Sequence, residues 1–247
     1  MSNPTPNGAQ SLIRTLVDSG VEVCFANPGT SEMHFVAALD DVPGMRAILG
    51  LFEGVATGAA DGYARIAGKP ACTLLHLGPG LGNGLANLHN ARRAHTPMVN
   101  IVGDHATYHK QYDAPLESDI DAVAGTVSSW FHRSMTPDAV PGDGARAVAE
   151  AMRAPGGVAT LILPADVCWL DSTPPAAPVT PQPAAIVPDE VIAAAARALH
   201  SDGDSVLFLG GRTLDERGQR AAVRIAQATG AKLFAEVFPR VQRRGAG

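Results

Sequence analysis

The sequence predicts an α/β protein, a parallel sheet flanked by helices, followed by an incomplete second α/β unit. Three observations carry this. Short apolar runs alternate with segments of helical period along nearly the whole chain. The runs are apolar throughout rather than every second residue, as in strands covered on both faces. Gly, Pro and Asn gather where the runs end, as at Asn27-Pro28-Gly29.

Taken in order, "AQSLIRTLVDSG" reads as a helix with Leu12, Leu16 and Val17 on one face and Gly20 as its stop. "VEVCFA" is a strand, and "SEMHFVAALDD" a helix with Thr30 or Ser31 as its cap. "MRAILGLF" is a strand, "GVATGAADGYARIAG" a helix and "ACTLLHLG" a strand. "GPGLGNG", residues 78–84, reads as a glycine loop before the helix "LANLHNARRA" and the strand "PMVNIVGD". The helix "DGARAVAEAM" and the strand "GVATLILP" follow. Residues 172–188 hold six prolines and no charge, which predicts a stiff linker. A first domain over 1–171 and a partial second domain over 189–247 are therefore expected. About 60 residues with two strands are too few for an independent α/β domain.

Composition bounds the function. At 247 residues, 46% hydrophobic and 17% charged, the chain can bury a real core. A net charge of -5 argues against nucleic acid or an anionic membrane as partner. No apolar run approaches the roughly 18 residues of a membrane span. Cys24, Cys72 and Cys168 are isolated, without a CxxC pair, which points to a reducing compartment. "MSNPTPNGAQ" has neither a basic nor an apolar leader region, so a cytoplasmic location is expected.

Several motifs bear residues that could carry chemistry. In "GPGLGNG", Gly78 and Gly80 fit a dinucleotide fingerprint, but Asn83 stands where its third glycine belongs. The loop follows a strand, where open α/β sheets bind ligands, and Asn83 could offer an amide to a flat ligand. "GDG", 142–144, lacks a later Asn to complete a metal-diphosphate motif, and Asp143 reads as a helix N-cap. His105 and His109 lack the Glu of a zinc-protease helix, so no metal ligand is assigned. His76 ends an apolar strand beside the glycines, where a side chain can point into a crevice. Glu53 is a lone acid between the apolar run 48–52 and a Gly/Ala-rich helix, with Leu51 and Phe52 expected to bury it. A helix N-terminus alone would stabilise an acid there, but it does not explain the apolar approach.

Together, "CFANPGTSEMHF", "FEGVATGAADGYARIAGKPA" and "LHLGPGLGNGLANLHNARRAHTPMVNIVGD" resemble the thiamine diphosphate (ThDP) enzymes of the acetolactate synthase and benzoylformate decarboxylase group. The match runs from about Ala9 to Asp171, the pyrimidine-binding domain of that group, and continues weakly through 189–247. The resemblance implies a 2-oxo acid decarboxylase or carboligase. It implies that Glu53 hydrogen-bonds N1′ of the cofactor's aminopyrimidine and so promotes loss of the thiazolium C2 proton. An apolar setting suits a carboxyl that must hold or share that proton. The resemblance further implies that Asn27, Pro28, Gly29 and Thr30 border the pyrimidine, with Thr30 near the substrate carboxylate. His76 would transfer protons, and Gly80 and Asn83 belong to a G-x-G-x-x-N cofactor loop. His105 departs from the glutamine common in the group.

The group's domain for diphosphate and Mg²⁺ has no counterpart in these residues, and whether FAD binds is left open. A homodimer, a homotetramer or a separate diphosphate-domain chain would complete the site. Two rivals stay open: a noncatalytic fragment or dimerisation module, and a nucleotide-binding oxidoreductase.

Overall fold

The computed structural model describes residues 5–201 and 203–242. Parts of the leader reading and of both domain ranges, at 1–4, 202 and 243–247, lie outside the described residues. The first elements are α1 (Gly8–Asp18), β1 (Val23–Asn27), α2 (Met33–Asp41), β2 (Arg46–Leu49), α3 (Glu53–Ala67) and β3 (Ala71–Leu75). Then come α4 (Leu77–Arg93), β4 (Met98–Asp104), α5 (Ile120–Val127), β5 (Trp130–Arg133), α6 (Val140–Met152), β6 (Val158–Pro164) and α7 (Ala165–Trp169).

The six strands form one sheet in the order β2-β1-β3-β4-β6-β5, and every pairing is parallel. This is the expected fold class, and the strand pattern explains why. Successive residues of each central strand face opposite sides. Cys24, Cys72, Leu74, Val99, Ile101 and Leu161 pack under Leu12 and Leu16 of α1, Phe35 of α2 and Val148 of α6. Val23, Ala71, Leu75, Met98, Val102 and Ile162 pack under Ala60 of α3, Leu88 of α4 and Ala124 of α5. A strand buried on both faces has no polar face to show, hence its unbroken apolar run.

One polar line crosses the second of these faces. Thr73 Oγ1 donates to Asn100 Oδ1 at 2.7 Å, and Asn100 Nδ2 donates to Thr160 Oγ1 at 3.0 Å. Ser128 Oγ meets Thr160 Oγ1 at 2.6 Å. All three strand residues are fully buried and sit in register on β3, β4 and β6.

Four local expectations change. "GPGLGNG" is not a loop but the first turns of α4, because its glycines serve helix packing rather than turning. Neither Thr30 nor Ser31 caps α2 with its side chain; a 3-10 turn, Thr30–Glu32, precedes the helix and Glu32 occupies the cap position. Asp143 lies inside the first turn of α6 and accepts from Ser134 Oγ at 2.7 Å, so it is not an N-cap. Finally, α5, β5 and α7 add to the elements expected from the sequence.

Beyond residues 172–188, which carry no helix or strand, lie α8 (Asp189–Leu199), β7 (Val206–Leu209), α9 (Glu216–Thr229) and β8 (Lys232–Ala235). β7 and β8 pair in parallel as a two-stranded sheet that leaves Val206, Phe208, Leu233 and Phe234 exposed. Among the described residues no helix is long and apolar enough to cross a membrane.

Candidate active site

The strand order reverses between β1 and β3. The chain leaves β1 for α2 on one face of the sheet and leaves β3 for α4 on the other. Diverging connections open a crevice at the carboxyl ends of the strands, the place where open α/β sheets bind ligands. The predicted residues gather around it.

Asn27 ends β1, and its Nδ2 donates to the Gly50 carbonyl at 2.6 Å, tying the tip of β1 to the tip of β2. Pro28 is half-buried and Thr30 exposed. Gly29 has no side chain because the imidazole of His76 lies against its Cα; a Cβ there would overlap the ring. His76 is the residue before α4, and Leu77 after it takes a left-handed φ of 54° although it is buried and not glycine. Such a conformation costs on the order of 1–3 kcal/mol and gathers at functional sites.

Glu53 opens α3 and is 8% exposed. Leu51 and Phe52 do not bury it as expected: both face outward, at 89% and 49% exposed. The carboxyl is enclosed instead by α4. Asn83 Nδ2 donates to Glu53 Oε2 at 3.0 Å. A Cβ on Gly80 would stand 3.0 Å from Glu53 Oε1 and 3.4 Å from the backbone of Leu75. The two helices can cross this closely because small residues line the contact. Gly84 abuts Thr57, whose hydroxyl reaches the Gly84 carbonyl at 3.2 Å, and Asn87 Nδ2 donates to the Gly54 carbonyl at 2.6 Å. Gly80 also joins the two ends of the crevice, since its N–H donates to the His76 carbonyl at 2.9 Å.

Glu32 was missed from the sequence. It is 2% exposed and its Oε2 lies 2.8 Å from His76 Nδ1 while accepting from the Gly29 N–H at 2.8 Å. Burial raises its pKa above the ordinary carboxylate value, against the lowering effect of the Gly29 N–H and His76. The only sequence signal was an acid three residues after Gly29 at a helix start, which reads as an end-of-helix feature.

At the end of β4, Asp104 holds the Arg133 guanidinium and Lys110 Nζ, the latter at 3.5 Å. With Thr107 bonded to Asp166, this fixes the segment after β4 beside the crevice. His105 and His109 meet there as a tilted pair with centroids 5.4 Å apart. Among the described residues no group of three His, Cys, Asp or Glu could hold a metal ion.

Fold and site define a parallel α/β domain with a buried carboxyl, Glu53, at the start of α3 and an imidazole, His76, just before α4. Residues 6–125 match the family described as "Thiamine pyrophosphate enzyme, N-terminal TPP binding domain". The chain is 64% identical over 241 residues to a Mycobacterium tuberculosis protein named "Putative acetolactate synthase large subunit IlvX", covering 98% of this chain and 46% of that one. It is 34% identical over 157 residues to the benzoylformate decarboxylase of Pseudomonas aeruginosa, covering 63% of this chain and 29% of the relative. The solved ThDP-dependent 4-hydroxybenzoylformate decarboxylase of Rhodococcus jostii RHA1 superposes with a TM-score of 0.83 over 94% of this chain and 45% of its own. At 24% identity that likeness is one of fold. This chain belongs to the thiamine diphosphate-dependent enzyme family, through the family's N-terminal cofactor-binding domain. It spans about half or less of the length of these relatives.

Proposed function

We propose that this chain supplies the aminopyrimidine-binding half of a ThDP site in an enzyme that decarboxylates a 2-oxo acid, with or without transfer of the product to a second carbonyl. The observation that carries this reading is the buried Glu53 carboxyl, held by Asn83 through one oxygen and left clear at the other by the missing side chain of Gly80. These residues fit a flat nitrogen heterocycle: Glu53 can share a proton with a ring nitrogen, Asn83 orients the carboxyl, and the glycines of α4 let a ring approach. ThDP, when bound, supplies a thiazolium that stabilises a carbanion.

The chain's own part is positional and protonic. Glu53 at the start of α3 offers its free oxygen to a ring nitrogen for proton exchange, a general acid-base role of the kind that contributes about 10² to 10⁴ in rate. His76 presents its imidazole to the crevice and transfers protons to bound substrate groups. Pro28, Gly29 and exposed Thr30 line the entrance, with Thr30 placed to meet a substrate carboxylate. Diphosphate and Mg²⁺ need oxygen ligands or a helix N-terminus, and are read as held by another segment or another copy in a homo-oligomer. The exposed Leu49, Leu51, Phe52 and Val55 around Glu53 support such a partner, since obligate interfaces resemble a divided core. Three free, buried cysteines support a cytoplasmic site of action.

The chain alone is therefore expected to self-associate and to bind ThDP weakly. The test is CO₂ release from a panel of aliphatic and aromatic 2-oxo acids, with ThDP, Mg²⁺ and the polypeptide that supplies the diphosphate site. Turnover that Glu53→Gln abolishes supports the reading. A well-folded assembly that binds ThDP yet leaves every 2-oxo acid intact favours the dimerisation-module alternative.

A further inference from the structure

We propose that Glu32 is a positioning residue for His76, fixing the imidazole with its proton on Nδ1 so that Nε2 is the atom that exchanges protons in the crevice. The inference rests on the functional reading above for His76, and on geometry for Glu32.

The tautomer follows from counting donors at one oxygen. The ionised Glu32 carboxylate has no proton to donate, and its Oε2 accepts the Gly29 N–H at 2.8 Å. His76 Nδ1 lies 2.8 Å from the same oxygen and must be the donor, leaving Nε2 as the other ring position. Two glycines make room for this arrangement. A side chain at Gly29 would overlap the His76 ring, and a side chain at Gly103, near the end of β4, would overlap Glu32 Oε1. Gly29 is thus bonded to the carboxylate through its N–H and packed on the imidazole through its Cα. The left-handed turn at Leu77 completes the set by delivering His76 from the end of β3.

Glu32 Oε1 is buried without a hydrogen-bond partner among the described residues. Leaving a carboxylate oxygen unpaired in a core is costly, so packing alone does not explain an acid at this position. The neighbouring Cys168 thiol is pushed up by burial, with Glu32 and Asp166 adding to the effect, so it stays neutral and does not compete as a donor of charge. In a transfer step Nε2 takes a proton from a substrate group and returns it. Nδ1 keeps its own proton throughout, and the Glu32 carboxylate offsets the imidazolium charge while it lasts.

The test uses the full chain labelled with ¹⁵N-histidine, His76 being assigned from the His76→Asn spectrum. At a pH where the ring is neutral, the Nδ1–H form is expected in the wild type. It is expected again in Glu32→Gln, whose amide oxygen can accept the same two bonds. In Glu32→Ala the Nε2–H form should gain about tenfold. A wild-type ring protonated on Nε2, or an unchanged ratio in Glu32→Ala, overturns the proposal. Should Glu32→Ala not fold, the wild-type and Glu32→Gln spectra decide. In the assembled enzyme Glu32→Ala should lower kcat about 10²-fold with KM nearly constant, and Glu32→Gln less. An unaltered kcat with the tautomer lost overturns the positioning role. A wild type inactive on every 2-oxo acid counts against the functional reading alone, and the tautomer still decides the pairing.

Discussion

Asn83 Nδ2 donates to Glu53 Oε2 at 3.0 Å, across the crossing of α3 and α4. This bond commits one carboxylate oxygen to the protein, while the other faces Gly80; in the proposed function that second oxygen meets the ligand. Glu53→Gln should therefore lower turnover of the assembled enzyme by about 10² to 10⁴. Asn83→Ala should cost less, because the carboxyl remains but loses its orientation. Steady-state kinetics of the two variants, with circular dichroism as the folding control, checks the order.

Gly80→Ala separates helix propensity from site geometry. Within α4 alanine is the better helix former by roughly 0.8–1 kcal/mol. The added Cβ would nevertheless stand 3.0 Å from Glu53 Oε1. Thermal stability near or above the wild type, with activity reduced about 10²-fold by carboxyl displacement, is the expected result.

Asn100→Leu should destabilise without touching the crevice. It removes the amide between Thr73 and Thr160 and leaves the buried Thr73 hydroxyl without a partner, while Thr160 keeps Ser128. An unsatisfied buried group costs about 1–3 kcal/mol. Urea denaturation should show a lower midpoint, while the kinetics of the remaining folded protein stay unchanged.

The pH dependence of stability should carry a signature of Glu32. Burial raises its folded-state pKa above the model-compound value of 4.5, against Gly29 and His76. From about 4.5 up to that folded value the native state holds a proton that the unfolded chain has released. Stability must therefore fall as pH rises through this window. The titratable groups facing Glu32 are His76 and Cys168, with Asp166 beside the thiol. Unfolding free energies of wild type minus Glu32→Gln, followed from pH 4 upward, should decline across the window and then level off.

Much of this was legible in the sequence because burial on both faces writes itself as unbroken apolar runs. β1, β3, β4 and β6 are such strands. β5 is not: Trp130–Arg133 lies at the sheet edge with Phe131 and His132 exposed, so no apolar run marks it. The glycines of "GPGLGNG" misled for a related reason. A glycine that frees the backbone to turn and one that lets two helices touch look alike in sequence. Glu53 and His76 stand out as candidates because each is a titratable residue at the end of an apolar run, and Asn83 because it closes a glycine-rich motif. Glu32 does not, since its partner His76 lies 44 residues away and only the fold brings them together.

In the proposed function the end of the sheet between β1 and β3 receives an aminopyrimidine through Glu53. The most direct measurement is an NMR titration of the ¹⁵N-labelled full chain with ThDP, with NAD as the control. Weak, saturable shifts concentrated at Gly29, Glu53, Gly80 and the Asn83 side-chain amide, lost in Glu53→Ala and absent with NAD, are expected. Shifts that leave Glu53 and Asn83 unmoved, or that NAD reproduces at the same residues, would contradict this reading.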